Sequence, residues 1–255
     1  NRSGDVPAAC RTAMPFRSGS ESHGCTTRAA IVVAGHALSR QTADDGTYAA
    51  NIGMAQGLLA QTDTTLESVE AQLTRALELA TQASNGTLSD TNRAAIGKEL
   101  DSIRDTLFAL ANTRDVRGQP LFGGATGDTA YLRNPDGSIA PAGTGEPSAI
   151  PIGEGVGIQG TVTGTRAFAA GSSDMFAVLA DLAAALETGG DVKAAADAGR
   201  AGIKASLESV TLARASAGAR SARLELDTDR LTAAGEARED VRSALEDTDV
   251  TVAVT

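Results

Sequence analysis

Residues 52–80, IGMAQGLLAQTDTTLESVEAQLTRALELA, place apolar or small side chains at Ile52, Ala55, Leu59, Thr62, Leu66, Val69, Leu73, Ala76 and Ala80. The steps of three and four residues trace one stripe along a helix, like the seam of a coiled coil. A looser repeat runs through the rear of the chain at Ile203, Leu207, Val210, Ala213, Ala217, Leu224, Leu231, Ala234, Val241 and Leu245. Seams this narrow cannot bury themselves alone, so the reading predicts that the two ends lie against each other as one long helical rod. Such a shape suits an assembly part better than an enzyme with a pocket.

Outward from that stripe, the front helix is predicted from about residue 34 to a stop at Asn85-Gly86, whose residues tolerate positive φ. Gly46, after Asp44-Asp45, weakens a helix interior and is compatible with a kink or restart, yet the whole stretch is read as helical. Ser89, followed by Asp90 and Asn92, suits the capped start of a second helix. Its apolar positions are Ile96, Leu100, Ile103, Leu107 and Leu110, and it ends near Thr113 as an antiparallel neighbour of the first.

Between Gly118 and Gly171 the composition turns to Gly, Pro, Thr and Asp, with short alternating pieces around Ile150-Pro151-Ile152 and Gly157–Val162. Asn134-Pro135-Asp136-Gly137 reads as a tight turn between two strands. Asp174 then opens a helix with Met175, Phe176, Val178, Leu179, Leu182, Ala183 and Leu186 on one side, closed by Gly189-Gly190. A last helix is expected from near Asp191 toward Thr248, roughly 80 to 90 Å at 1.5 Å per residue. The expected architecture is mainly α with a small β-rich insertion. It divides into an irregular arm (1–35), an elongated antiparallel helical bundle (36–117 and 172–255) and the β-rich insertion (118–171).

Composition narrows the function. The 255 residues are 42% hydrophobic but only 3% aromatic, with no Trp, so small side chains must supply much of the core. A net charge of −10 argues against nucleic acid, which needs clustered Lys and Arg. No apolar run is long enough to span a membrane, and no cleavable signal opens the chain; taken alone, composition suggests a cytosolic protein. Cys10 and Cys25, with His23 and His36 nearby, lack the spacing of a zinc site, and a disulfide between the two cysteines remains open.

Chemical motifs are thin. Gly153-Glu154-Gly155-Val156-Gly157 has no following helix and no Lys-Ser or Lys-Thr, so it reads as turns rather than a phosphate loop. Gly171-Ser172-Ser173 is no nucleophile elbow, and two His near the start supply little for a triad. Asp44 with Asp45, and Glu239 with Asp240, read as solvated helix faces. No catalytic, cofactor-binding or metal residue is assigned.

Residues 107–124, LFALANTRDVRGQPLFGG, resemble the stretch that leads from the second helix into the β region in the bacterial flagellin family, in its hook-associated type. Asn112, Arg114, Gly118, Phe122, Gly123 and Gly124 are the signature positions of that resemblance. Collinear but weaker likenesses are Ala83–Asp90 to the family's inter-helix turn, Gly164–Phe168 to its return strand and Ala215–Leu224 to its returning helix. Residues 1–35 do not show the family's usual Asp-Asp-Pro entry and carry Cys, which the family generally lacks. The carboxyl end stops before the family's terminal amphipathic helix, so the inner polymerising layer is expected to be missing.

The resemblance implies a non-enzymatic part of the bacterial flagellum, extracellular, exported without a cleaved signal and without cofactors. It places the part at the junction between hook and filament, self-associating in a ring. Its implied partners are the other hook-filament junction protein, flagellin and a flagellar export chaperone, with no nucleic acid and no membrane insertion. A filament-forming flagellin, or a flagellin-like surface protein that binds a ligand, is the alternative.

Overall fold

The computed structural model describes residues 19–85, 88–125 and 128–254, and side-chain surroundings from residue 30 to residue 247 within them. Cys10 and the side chains of His23 and Cys25 lie outside that description. His36 is exposed on a helix. Among the described residues, five helices and six short strands occur in the order α1 (Gly19–Ala83), α2 (Asp90–Ala111), β1 (Tyr131–Arg133), β2 (Ile139–Pro141), β3 (Ala149–Gly153), β4 (Val156–Gln159), α3 (Gly164–Ala167), β5 (Ala169–Ala170), β6 (Ser173–Asp174), α4 (Met175–Thr188) and α5 (Val192–Val254). No described helix is long and apolar enough to cross a membrane.

Two compact units divide the chain. One comprises residues 51–225, and the other the segments before and after it. In the larger unit the front stripe is fully used: Ile52, Ala55, Leu59, Thr62, Leu66, Val69, Leu73, Ala76 and Ala80 are all buried. Much of what covers it comes from far along the chain, since Leu66, Val69 and Leu73 share one core cluster with Ile203, Val210 and Ala213 of α5. Thr62 keeps its hydroxyl satisfied there by donating to the Leu58 carbonyl at 2.8 Å.

Arg214 of α5 reinforces the pairing by reaching both Asp63 (2.8 Å) and Glu70 (2.7 Å) of α1. Hydrogen bonds to Asp63 and then Glu70 hold its pKa above the ordinary arginine value. In the smaller unit, Arg238 pairs with Asp45. Front and rear helices are thus joined inside each unit. The rear seam weakens beyond Leu224, however: Leu231, Ala234 and Leu245 are half-buried and Val241 is 50% exposed.

α2 folds back along α1, and Arg75 near the end of α1 meets Glu99 near the start of α2 at 2.7 Å. Its expected cap is present, with the Ser89 hydroxyl accepting from the Asn92 amide. Ile96, Leu100, Ile103 and Leu107 are buried as the spacing requires. α4 starts where Asp174 accepts from the Ala177 amide at 2.9 Å, and it ends at Gly189 with φ 83°. It packs tightly on α5 because Gly202 has no side chain: a Cβ there would stand 2.6 Å from Val178.

One feature departs from the sequence reading. Residues 19–35, expected to be irregular, belong to α1. Propagating an existing helix costs far less than nucleating one, so the stretch extends without an apolar seam of its own. α1 runs through Gly46 without a break, in keeping with the helix expected after about residue 34. The β region shares the helical core, since Leu121, Phe122, Tyr131, Ile139, Val162 and Phe168 lie in the same cluster as the helices.

The β region itself is three antiparallel pairs: β1 with β2, β3 with β4, and β5 with β6. The expected turn at Asn134–Gly137 joins the first pair, with Gly137 at φ 84°. No two-stranded ribbon of this size is stable alone in water. Its stability comes from an aromatic knot in which Phe122 and Phe168 meet edge-on at 5.1 Å, and Tyr131 reaches Phe176 of α4 at 5.1 Å.

Leu66→Ala, at a fully buried seam position, is expected to cost about 2–5 kcal/mol. Val116→Ala, at a residue 98% exposed, is expected to change stability by less than about 0.5 kcal/mol. Urea denaturation of both variants checks the contrast.

Candidate functional site

The signature residues converge on the passage from α2 into the β region. At the end of α2, Asn112 turns its side-chain oxygen toward the incoming strand and accepts from the amides of Ala130 (3.1 Å) and Tyr131 (3.0 Å). Its side-chain nitrogen donates back to the Phe108 carbonyl at 3.2 Å. One amide group therefore fastens β1 to the carboxyl end of α2. Asn suits that position because it both donates and accepts.

Arg114 works the other side of the loop. Its guanidinium donates to the Gly118 carbonyl at 2.6 Å and to the Asp128 carbonyl. The Arg114 carbonyl accepts from Gln61 of α1 at 2.9 Å, tying the loop to the front helix. Gly118 has φ 77°, a left-handed conformation that side-chain-bearing residues rarely adopt.

Asp115 is the centre of this loop, although the sequence reading did not single it out. Its side chain is only 3% exposed. One oxygen accepts from the amides of Arg117 (2.8 Å) and Gln119 (2.9 Å), and the other from the Arg117 guanidinium at 2.9 and 3.0 Å. Burial alone would raise its pKa, but the hydrogen bonds from Gln119 and Arg117 outweigh it and hold the carboxyl below its usual range. The available signal was an Asp followed within a few residues by Gly, the pattern of a side-chain-braced turn. The turn holds Val116 almost wholly in solvent.

The Phe122-Gly123-Gly124 end fixes the β region from below. The Phe122 carbonyl accepts from the Gly164 amide at 2.9 Å while its ring enters the aromatic knot. Gly124 forms a parallel bridge with Thr144, and the Ala125 amide donates to the Thr144 carbonyl at 3.0 Å. The approach is so close that a Cβ on Gly143 would stand 2.2 Å from the Gly123 carbonyl oxygen. Gly143 is thus a necessary partner of the signature, and nothing in its local sequence announces it.

A second brace comes from α5. Arg220 donates to the carbonyls of Thr161 (2.8 Å) and Gln159 (3.3 Å), fastening the end of β4 to the rear helix. Burial, followed by the nearby Arg166, lowers its pKa from the ordinary arginine value. Taken together, Asn112, Arg114 and Arg220 direct their polar atoms at the backbone, while Asp115 divides its oxygens between backbone amides and the Arg117 guanidinium. Their arrangement sets the shape of a surface and offers no nucleophile paired with a base.

The buried Asp115 carboxylate carries a pH signature. Its folded pKa is depressed, so its stabilising contribution is fully present well above the ordinary value of 3.8 and is lost as pH falls through the lower folded value. Asp115→Asn should cost about 1–3 kcal/mol at pH 7, with a smaller deficit near pH 3. Urea titrations of both proteins at the two pH values would show this, and an equal deficit at both would contradict it.

Residues 18–126 match the family model of the bacterial flagellin N-terminal helical region. The chain is 44% identical over 68 residues to flagellar hook-associated protein 3 of Escherichia coli K12; the match covers 25% of this chain and 22% of that protein. Its fold superposes on flagellar hook-associated protein 3 from Legionella pneumophila with a TM-score of 0.78 at 14% identity, covering 84% of this chain and 99% of that one. FlgL of Xanthomonas campestris superposes with a TM-score of 0.67 at 17% identity, covering 81% and 99%. The chain is thus similar in the sequence of its front part to the flagellin family, and in fold to that family's hook-associated proteins.

Proposed function

We propose that this chain is a structural, non-catalytic subunit of the bacterial flagellum, at the junction between hook and filament. The reading rests on one observation above the rest: a likeness to the flagellin amino-terminal region covers residues 18–126 and includes all six signature residues. Agreement in fold with hook-associated proteins supports it.

In this reading the chain sits outside the cell and associates with further copies of itself in a ring, with the other junction protein on one side and flagellin on the other. An export chaperone holds it before assembly. The signature residues act as the brace between helices and β region. A subunit between a rotating hook and a long filament must keep its surfaces in fixed relation under load, and side chains that grip backbone serve that need.

Deleting the gene in its own bacterium should leave hooks that shed flagellin into the medium, and supplying the intact gene should restore filaments. Quantitative mass spectrometry of purified flagella should find the chain far below flagellin in copy number. Normal filaments on the deletion strain would refute the junction role, and a copy number equal to that of the main filament protein would replace it with the flagellin reading.

A further inference from the structure

Between the β3–β4 ribbon and α5, the larger unit carries a groove of about 500 Å³. Small residues keep it open: Gly157 has no side chain, and Ala149 and Ala219 end at a methyl group. The buried Ile158 lines it as well. Ser216 adds a hydroxyl, and Arg220 and Arg223, three residues apart on α5, add guanidinium groups. No carboxylate is among the described residues that line the groove, although the chain holds 32 acidic residues against 22 Lys and Arg.

Arg220 differs from its neighbours on the same helix. Arg200 and Arg214 each meet a carboxylate. Arg220 meets carbonyls alone among the described residues, and it does so through Nη1. Its Nε and Nη2 donate to no described group, and neither atom is sealed from solvent. These two atoms form one edge of the planar guanidinium, the edge that grips a carboxylate with two parallel hydrogen bonds. Burial, and then the nearby Arg166, disfavour the charged form of Arg220. Arg166 is itself met by Glu146 at 2.8 Å. An anion seated on the open edge of Arg220 would offset the cost of holding its charge there.

We propose that this groove binds a carboxylate borne on a short aliphatic stem, gripped side-on by Nε and Nη2 of Arg220, with the stem against Ala149, Gly157 and Ala219. The lining selects an anion, because it offers guanidinium groups and no acidic side chain to repel one. A single negative charge matches Arg220, the cation there that meets no carboxylate among the described residues. The stem follows from the walls, since apolar surface beside a charged donor suits a ligand of both characters, and the volume leaves room for more than the carboxylate alone. Two sources present this chemistry: a free short-chain acid, and a glutamate side chain on another protein. The inference does not depend on the junction role.

The test uses the full chain, labelled with ¹⁵N, titrated with butyrate and separately with butyramide, its neutral counterpart of the same shape. Butyrate should produce saturating shifts of the Gly157, Gln159 and Ala219 amides and of the Arg220 Nε–H signal, with a dissociation constant in the millimolar range that weakens as salt is added. Butyramide should shift them far less. Arg220→Lys keeps the charge without the fork and should weaken butyrate binding by about tenfold, while Arg220→Gln should abolish saturation. A short peptide with one glutamate that binds more tightly than butyrate would assign the site to a protein partner, and equal or weaker binding would assign it to a free acid. Absence of saturation, an equal response to butyramide, tighter binding of phosphate dianion, or unchanged affinity in a folded Arg220→Gln protein would each overturn the proposal. If that variant fails to fold, unchanged affinity in Arg220→Lys would overturn it instead.

Discussion

A helix whose apolar side is one residue wide depends on being covered by another element, and the front helix of this chain depends on cover from well over a hundred residues away. Leu66, Val69 and Leu73 stand on the stripe, and Val210 and Ala213 of α5 lie in the cluster that buries them. The small side chains on both sides let the backbones approach, and each step of contact removes only modest apolar area. The seam must therefore be long to stabilise anything. The buried front stripe accordingly runs unbroken from Ile52 to Ala80, about eight turns of helix.

Distant closure has a second consequence. The segment between the two halves cannot be loose, because its ends are fixed by the seam. The aromatic knot answers this with four of the chain's seven aromatic residues, Phe122, Tyr131, Phe168 and Phe176, gathered at one point. Three come from the β region and one from α4. A protein so poor in aromatics puts them where two-stranded ribbons too small to fold alone meet the helical core. The low aromatic content that suggested a shallow seam was accurate for α1 and misleading for the β region.

The seam was legible because a period near 3.6 leaves a direct trace in sequence, and each front position read from that period is buried. Caps were legible for a similar reason: Ser89 and Asp174 act through amides only three residues away. What could not be read was pairing across distance. Gly143 looks like any loop glycine until Gly123 is found against it, and Arg220 gives no sign that Gln159 and Thr161 are its partners. Asp115 lay in the quoted signature and was passed over, since an Asp beside Arg in a loop normally indicates solvent rather than a buried carboxylate. Residues 19–35 were missed because helix propagation needs no seam to show itself.

The distant braces share one residue type. Only three of the 22 basic residues are Lys, at 98, 193 and 204. The ties between separate elements, Arg75 to Glu99, Arg133 to Asp105 and Arg214 to Asp63 and Glu70, are all arginine. Each is partly exposed, so Coulomb attraction across it is weak and screened by salt. Geometry is the stronger reason for the choice. A planar guanidinium addresses two acceptors in fixed directions at once, as Arg214 does with two carboxylates and Arg220 with two carbonyls, whereas an ammonium fixes neither direction. These arginines contribute less to raw stability than to register, holding a helix pair against sliding along a seam of small side chains that would itself tolerate displacement.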